Sequence, residues 1–267
     1  MANKIRDFLH ENKLCNNGDK TELLLIGSSQ QLKKLHVSSI KVENVEINAM
    51  DHVRNLGVIF DKGMTMEKQV NKMCQNAYFN MRNLSKLRRS LDRDTIKTAV
   101  NSLVTPHLDY GNGLLYGIKS SLLKKMQVAQ NSAVRLIEKL KKHDSVNEFR
   151  KRLHWLPIPA RIQFKLMTTT WKAMNDQAPK YIKQLLHKKP KQNYDLRSSS
   201  KKMLNEQLPR NKNKFEDRAF SFVAHKLWND LLDVVRNAIT LDMVQEKLVH
   251  PSVSKVLSKL VLYLHKH

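Results

Sequence analysis

The sequence predicts an α+β protein that is mainly α. Two patterns carry this. Apolar residues alternate with polar ones only within about the first sixty positions, as in "IKVENVEI" (40 to 47), and from Asp61 onward they recur at helical spacing instead. A third observation bounds the size: 267 residues, 41% of them hydrophobic, suffice for one large or two modest cores.

The elements follow in order. Residues 3 to 13 have the makings of a short helix, Gly18 and Asp19 mark a turn, and Thr21 to Ile26 reads as a buried strand. In "IKVENVEI", Val42 is expected opposite Val45 and Ile40 opposite Ile47 around the two-residue turn Glu43-Asn44, which is hairpin pairing. "NLGVIF" (55 to 60) gives a further strand, in which Gly57 either lets a partner approach the backbone or marks a bulge. A long helix spans 65 to 88. Met66, Val70, Met73, Ala77, Met81 and Leu84 make its apolar stripe, and Lys68, Lys72, Arg82 and Lys86 lie opposite with Phe79 among them. That face suits a helix lying along a phosphate backbone, although a solvated face with a stray Phe gives the same pattern.

Further helices are expected over 92 to 105 and 121 to 140, the latter with Leu122, Met126, Ala129, Ala133, Leu136 and Leu140 inward. "SVNE" (145 to 148) has capping-box spacing and opens a short helix that Pro157 and Pro159 break. "ARIQFKLMTTTWKAM", "APKYIKQLLH" and "KFEDRAFSFVAHKLWNDLL" continue the helical run, and two short helices finish it. Residues 188 to 214 are rich in Lys and Arg and poor in large apolar groups. They read as a basic linker that either orders on nucleic acid or stays a surface segment. The domain division expected from these patterns is 1–62, 63–140 and 141–267.

Charge narrows the partners. With 48 Lys and Arg against 24 Asp and Glu, the formal net charge is +24, a self-repulsion that a polyanion relieves. Nucleic acid is the usual one, an anionic membrane surface the competitor. Cys15 and Cys74 stand apart without CxxC spacing, which excludes a disulfide framework and a zinc knuckle of paired cysteines and fits reduced thiols. The N-terminus lacks an uninterrupted signal-like apolar core, and the apolar tail is shorter than the ~20 residues a membrane span needs. The expectation is a soluble intracellular protein of nucleus or cytoplasm, without a membrane partner. No phosphate loop, HExxH or GxSxG is present, the histidines are scattered among surface and packing positions, and no two aspartates are adjacent.

Seven stretches then carry a resemblance: "NKLCNNGDKTELLLIGS", "VRNLGVIFD", "LVTPHLDYGNGLLYG", "VAQNSAVRLI", "LHWLPIPARIQFK", "LRSS" and "RAFSFVAHKLWNDL". In this order, over nearly the whole chain, they resemble the C-terminal portion of the polymerase of non-LTR (LINE-class) retrotransposons of the jockey and chicken-repeat type. The resemblance implies a palm remnant with primer-grip-like strands at Leu56 and Gly57, then a thumb over about 65 to 140 that grips template–primer, in agreement with the separately read basic face of Lys68, Lys72, Phe79, Arg82 and Lys86, then a helical C-terminal region associated with RNA. In that family the opening stretch follows a Tyr/Phe-Ala-Asp-Asp motif whose aspartates hold two Mg²⁺ ions. Lys20 matches the lysine of the family's N-x-x-K-T, which stabilises the leaving pyrophosphate. Without the aspartate pair Lys20 has no target within reach and reads as a turn lysine.

Trp155, Trp171 and Trp228 fall in the most family-like stretches, where stacking on bases competes with helix packing. Asn16, Gly111 and Leu232 depart from the family pattern, as in a decaying or repurposed copy.

The expected function is therefore that of a truncated reverse transcriptase fragment, not itself an enzyme and binding no cofactor, with RNA, RNA–DNA hybrid or a full-length element protein as partner. The alternatives are a repurposed basic protein-interaction module and a relic without a stable fold of its own, its palm strands lacking sheet partners.

Overall fold

The computed structural model describes residues 2–14, 17, 20–42, 45–187, 203–205, 216–231, 233–238 and 240–243. The expected turns at Gly18-Asp19 and Glu43-Asn44, the Cys15 thiol, Asn16, the "LRSS" stretch, most of the 188–214 segment, Leu232 and the chain from 244 on lie outside the described residues. The chain divides into two compact units, Met1–Asn71 and Lys72–His267.

In the first unit, α1 (Ala2–Glu11) and α2 (Ser29–Lys34) precede two small antiparallel hairpins. Ser28 caps α2 through a capping box with Gln31, each side chain accepting the other's backbone N–H. The first hairpin joins β1 (Ser39–Val42) to β2 (Val45–Asn48) with Ile40 opposite Ile47 and Val42 opposite Val45, the register the alternation foretells.

The second hairpin corrects an expectation. "NLGVIF" is not one strand: β3 (His52–Asn55) pairs with β4 (Val58–Asp61), and Leu56 and Gly57 form the two-residue turn between them. Both have positive φ, 45° and 82°, as a type I′ turn requires. Gly57 therefore marks a reversal, neither a close approach within a strand nor a bulge. Arg54 and Asn55 on β3 gave no alternation to announce the partner strand.

Thr21–Ile26 is likewise not a buried strand. Its one β-bridge among the described residues is parallel, from Leu23 to Ala49, where Met50 N–H donates to Leu23 C=O at 2.8 Å, and Ile26 is 53% exposed. An extended apolar run becomes a strand only where a neighbour supplies the other half of its ladder.

Asp61 ends β4 and starts the next element. Its carboxylate accepts the backbone N–H groups of Gly63, Thr65 and Met66, the last at 2.8 Å, and the Thr65 hydroxyl at 3.1 Å. Those bonds hold a connection in which Met64 and Met66 both have positive φ. From it runs α3 (Glu67–Leu87). Gln69 is buried in this unit because its Oε1 accepts the Ile59 N–H at 2.9 Å.

The second unit is helical: α4 (Arg93–Leu103), α5 (Thr105–Asp109), a 3₁₀ turn (Asn112–Leu115), α6 (Ser120–Glu138), α7 (Asn147–Arg152), α8 (Ile158–Met174), α9 (Lys180–Gln184), a 3₁₀ turn (Glu216–Arg218), α10 (Phe220–Asn229) and α11 (Asp233–Arg236). At its centre lies α8, which packs on α6, α9, α10 and the first 3₁₀ turn. It is buried on more than one face, with Ile158, Ile162, Met167 and Trp171 each no more than 2% exposed. Thr168, Thr169 and Thr170 each donate to the carbonyl four residues back, so buried Thr168 and Thr170 carry satisfied hydroxyls.

Three further expectations change. The "SVNE" capping box does not form: α7 is entered through Val146, which is buried and in the αR region, so Ser145 sits one residue too early to cap it. Pro157 and Pro159 do not break α7, which ends at Arg152. They start α8, Pro157 at its N-cap and Pro159 in its first turn, where a missing N–H costs nothing. Within the expected linker, Leu204 is fully buried, its N–H and C=O both held by the Asn229 side chain at 3.0 and 2.9 Å.

Candidate nucleic-acid interface

The face read from periodicity is the outward face of α3. Met66, Val70, Met73, Ala77, Met81 and Leu84 are all buried, whereas Lys68, Lys72, Arg82 and Lys86 are exposed and Phe79 is 60% exposed. Glu67 in the first turn is the only acid in the helix, and there it complements the helix dipole. Lys68 Nζ lies 2.8 Å from His52 Nδ1 on β3. Cys74 belongs to the buried side, and desolvation pushes its thiol pKa up, away from reactivity.

Tertiary structure adds residues to this face. Tyr78, Arg82 and Ser85 of α3 and Ser132 and Arg135 of α6 border an open groove of about 440 Å³ whose apolar wall is Met81, Leu136 and Leu140. Arg88, just beyond α3, holds the end of the groove together. Its guanidinium donates to Leu136 C=O, Ile137 C=O and Leu91 C=O at 2.8, 2.8 and 3.0 Å, satisfying the last carbonyls of α6. Arg135 was missed because its facing residue Arg82 lies far back in sequence. It stands in "VAQNSAVRLI", but nothing in that stretch indicates which helix it meets.

The charges here differ in kind from those elsewhere. Arg93 is neutralised by Glu138 at 2.6 Å, and Arg161 pairs with Asp109 through two bonds. Arg82 and Arg135 have no carboxylate partner among the described residues. Arg135 donates to Asp144 C=O at 3.3 Å, and its Nε–H is buried without an acceptor.

Lys20, Leu56 and Gly57 belong to the first unit, the three tryptophans to the second. Lys20 is exposed, and it and its neighbour are tied to Asn17: Lys20 N–H donates to Asn17 Oδ1 at 3.2 Å, and the Thr21 hydroxyl donates to Asn17 C=O at 2.9 Å. Leu56 is 86% exposed at the tip of its hairpin, beside Gly57. Trp171 and Trp228 are each 1% exposed, and Trp171 Nε1–H donates to Ala238 C=O at 3.2 Å. They are packing anchors, out of reach of a base. Trp155 is half-buried and lines a small cavity together with Val104, Leu108 and Ile158.

Polar bonds join segments that are far apart in the sequence. Arg161 of "LPIPARIQFK" pairs with Asp109 of "LVTPHLDYGNGLLYG", and Gln130 of "VAQNSAVRLI" donates to Leu156 C=O at 2.8 Å. Gln127 Oε1 accepts Ile158 N–H at 2.9 Å, and Arg218 of "RAFSF" donates to Tyr116 C=O at 3.0 Å. Gly117 is held to φ 71° there, and a Cβ on it would meet the Arg218 stem at 2.8 Å.

Among the described residues, no group of three or more His, Cys, Asp or Glu side chains is placed to hold a metal ion. Nor is any described helix long and apolar enough to cross a membrane. Comparison with family models, curated proteins and solved structures finds no match to this chain.

Proposed function

We propose that this protein binds RNA or RNA–DNA hybrid through the phosphate backbone, in the manner of the thumb of a non-LTR reverse transcriptase, and that it does not polymerise as an isolated chain. The observation that supports it most is the outward face of α3, where Lys72, Arg82, Lys86 and Phe79 are exposed together with no acid between them. Ammonium and guanidinium groups spaced along a helix neutralise successive phosphates, and release of condensed counterions supplies the affinity. Phe79 adds an apolar contact or a stacking surface. Lys20, Leu56 and Gly57 are the positions where the resemblance would put leaving-group and primer contacts. Lys20 does no chemistry in a chain with no adjacent aspartates.

The test is fluorescence-anisotropy titration of the purified protein with labelled RNA–DNA hybrid and single-stranded RNA over a series of salt concentrations. If about six phosphates are neutralised, affinity falls by roughly 10³ between about 50 and 200 mM salt. The double variant Lys72→Gln/Lys86→Gln lowers the slope of log affinity against log salt by about two. Binding that ignores salt, or no binding at about 50 mM, overturns the reading and favours a protein partner.

A further inference from the structure

The groove between α3 and α6 has a shape and chemistry that a duplex backbone does not use. A duplex presents phosphates on its outside and keeps its bases stacked within, so it needs exposed cations and no apolar recess. Here the recess is apolar along Met81, Leu136 and Leu140, is bordered by the half-exposed Tyr78 ring, and carries Arg82 and Arg135 on its rim. Its volume of about 440 Å³ lies within the ~300–1,000 Å³ of ligand-sized clefts.

We propose that this groove takes one unpaired nucleotide of a single strand, with the phosphate between Arg82 and Arg135 and the base against Tyr78, Leu136 and Leu140. This rests on the nucleic-acid reading above but assigns a single-stranded ligand to a groove that shares Arg82 with the outward face of α3.

Charge complementarity selects the occupant. Two guanidiniums without a carboxylate between them need an anion, and planar forks match phosphate oxygens. The charge of the groove is therefore unanswered by any carboxylate of the described residues. A carboxylate or a free phosphate would answer the charge but leave the apolar wall wet. A nucleotide answers both, because every base has an aromatic face to lay on a ring or an aliphatic wall. The Ser85 and Ser132 hydroxyls donate to carbonyls of their own helices, Arg82 C=O at 2.7 Å and Val128 C=O at 2.9 Å, so they can accept from a base or ribose but are not counted as phosphate donors.

The test compares a labelled single-stranded RNA dodecamer with a blunt RNA–DNA hybrid of the same length, at one salt concentration, with thermal melts confirming that each variant is folded. Tyr78→Ala should weaken the single strand about tenfold and leave the hybrid within about twofold. Arg82→Gln should weaken both and lower the salt slope for each by about one. Equal loss on both ligands from Tyr78→Ala, or none on either, overturns the groove assignment. If Lys72→Gln/Lys86→Gln still weakens the hybrid in that case, the backbone-binding reading stands without it. Should the wild-type protein bind neither ligand, both fail together.

Discussion

The two units use the same basic composition in opposite ways. In the helical unit several arginines and glutamines are spent on the fold: Arg88 on the end of α6, Arg161 on Asp109, Gln127 and Gln130 on the entry to α8, Arg218 on the Tyr116 corner. In the unit of hairpins the fixed points are few. Asp61 organises the turn into α3, Gln69 ties β4 to it, and Leu56, Ile40 and Val45 are left exposed. The difference teaches where to look for function. Motif-bearing residues of the helical unit are mostly structural, and the cations available to a partner stand on α3, outside the densest bonding.

That contrast can be broken or sharpened by mutation. The largest effect is expected at the centre of the helical unit. Trp171→Ala removes a fully buried indole and strands the Ala238 carbonyl, for a loss of about 3–5 kcal/mol, read from urea unfolding. Next is the Asp109–Arg161 pair, whose side chains are 34% and 19% exposed. A double-mutant cycle with alanine at each should give a coupling of about 1–2 kcal/mol after allowance for solvent screening. A coupling near zero would mean that the motifs are not held together by their polar groups.

In the hairpin unit Asp61→Ala should cost about 1 kcal/mol, and its amide-exchange signature should be confined to the first turn of α3 and the residues leading into it. Exchange that rises throughout both units would show them to be one cooperative body. Leu56→Asn should stabilise by about 0.5 kcal/mol, because asparagine tolerates the positive φ and leucine does not, and thermal melts read the gain.

The smallest change is a pH limb. Asp92 caps α4, and hydrogen bonding from Thr95 holds its carboxyl pKa below the usual value. Its contribution is therefore present above the unfolded pKa and lost as pH falls through the folded one. Asp92→Asn should flatten that limb of an acid titration of stability.

Much of the fold was legible because its signals are local. The β1–β2 register follows from alternation about a two-residue turn. The inward and outward sides of α3 follow from 100° steps, whereas the caps at Ser28 and Asp92, though local, went unread. The errors share a cause. The strand at 21–26 needed a ladder partner that local sequence does not reveal. Gly57 looked like a strand glycine because β3, as "HVRN", has a single large apolar residue to betray it. The capping box at 145 lost to the burial of Val146, which shifts the helix start by one position.

By itself, then, the sequence determined the mainly helical class, the longer helices, the first hairpin and the basic face of α3, since backbone geometry and side-chain periodicity act over a few residues. Tertiary structure alone decided which charges remain available. Arg161 meets Asp109 across 52 positions and Arg88 meets α6 across 48, while Arg82 and Arg135 face one groove with no acid between them. A side chain's partner is set by where the chain returns, and neither composition nor spacing encodes that return.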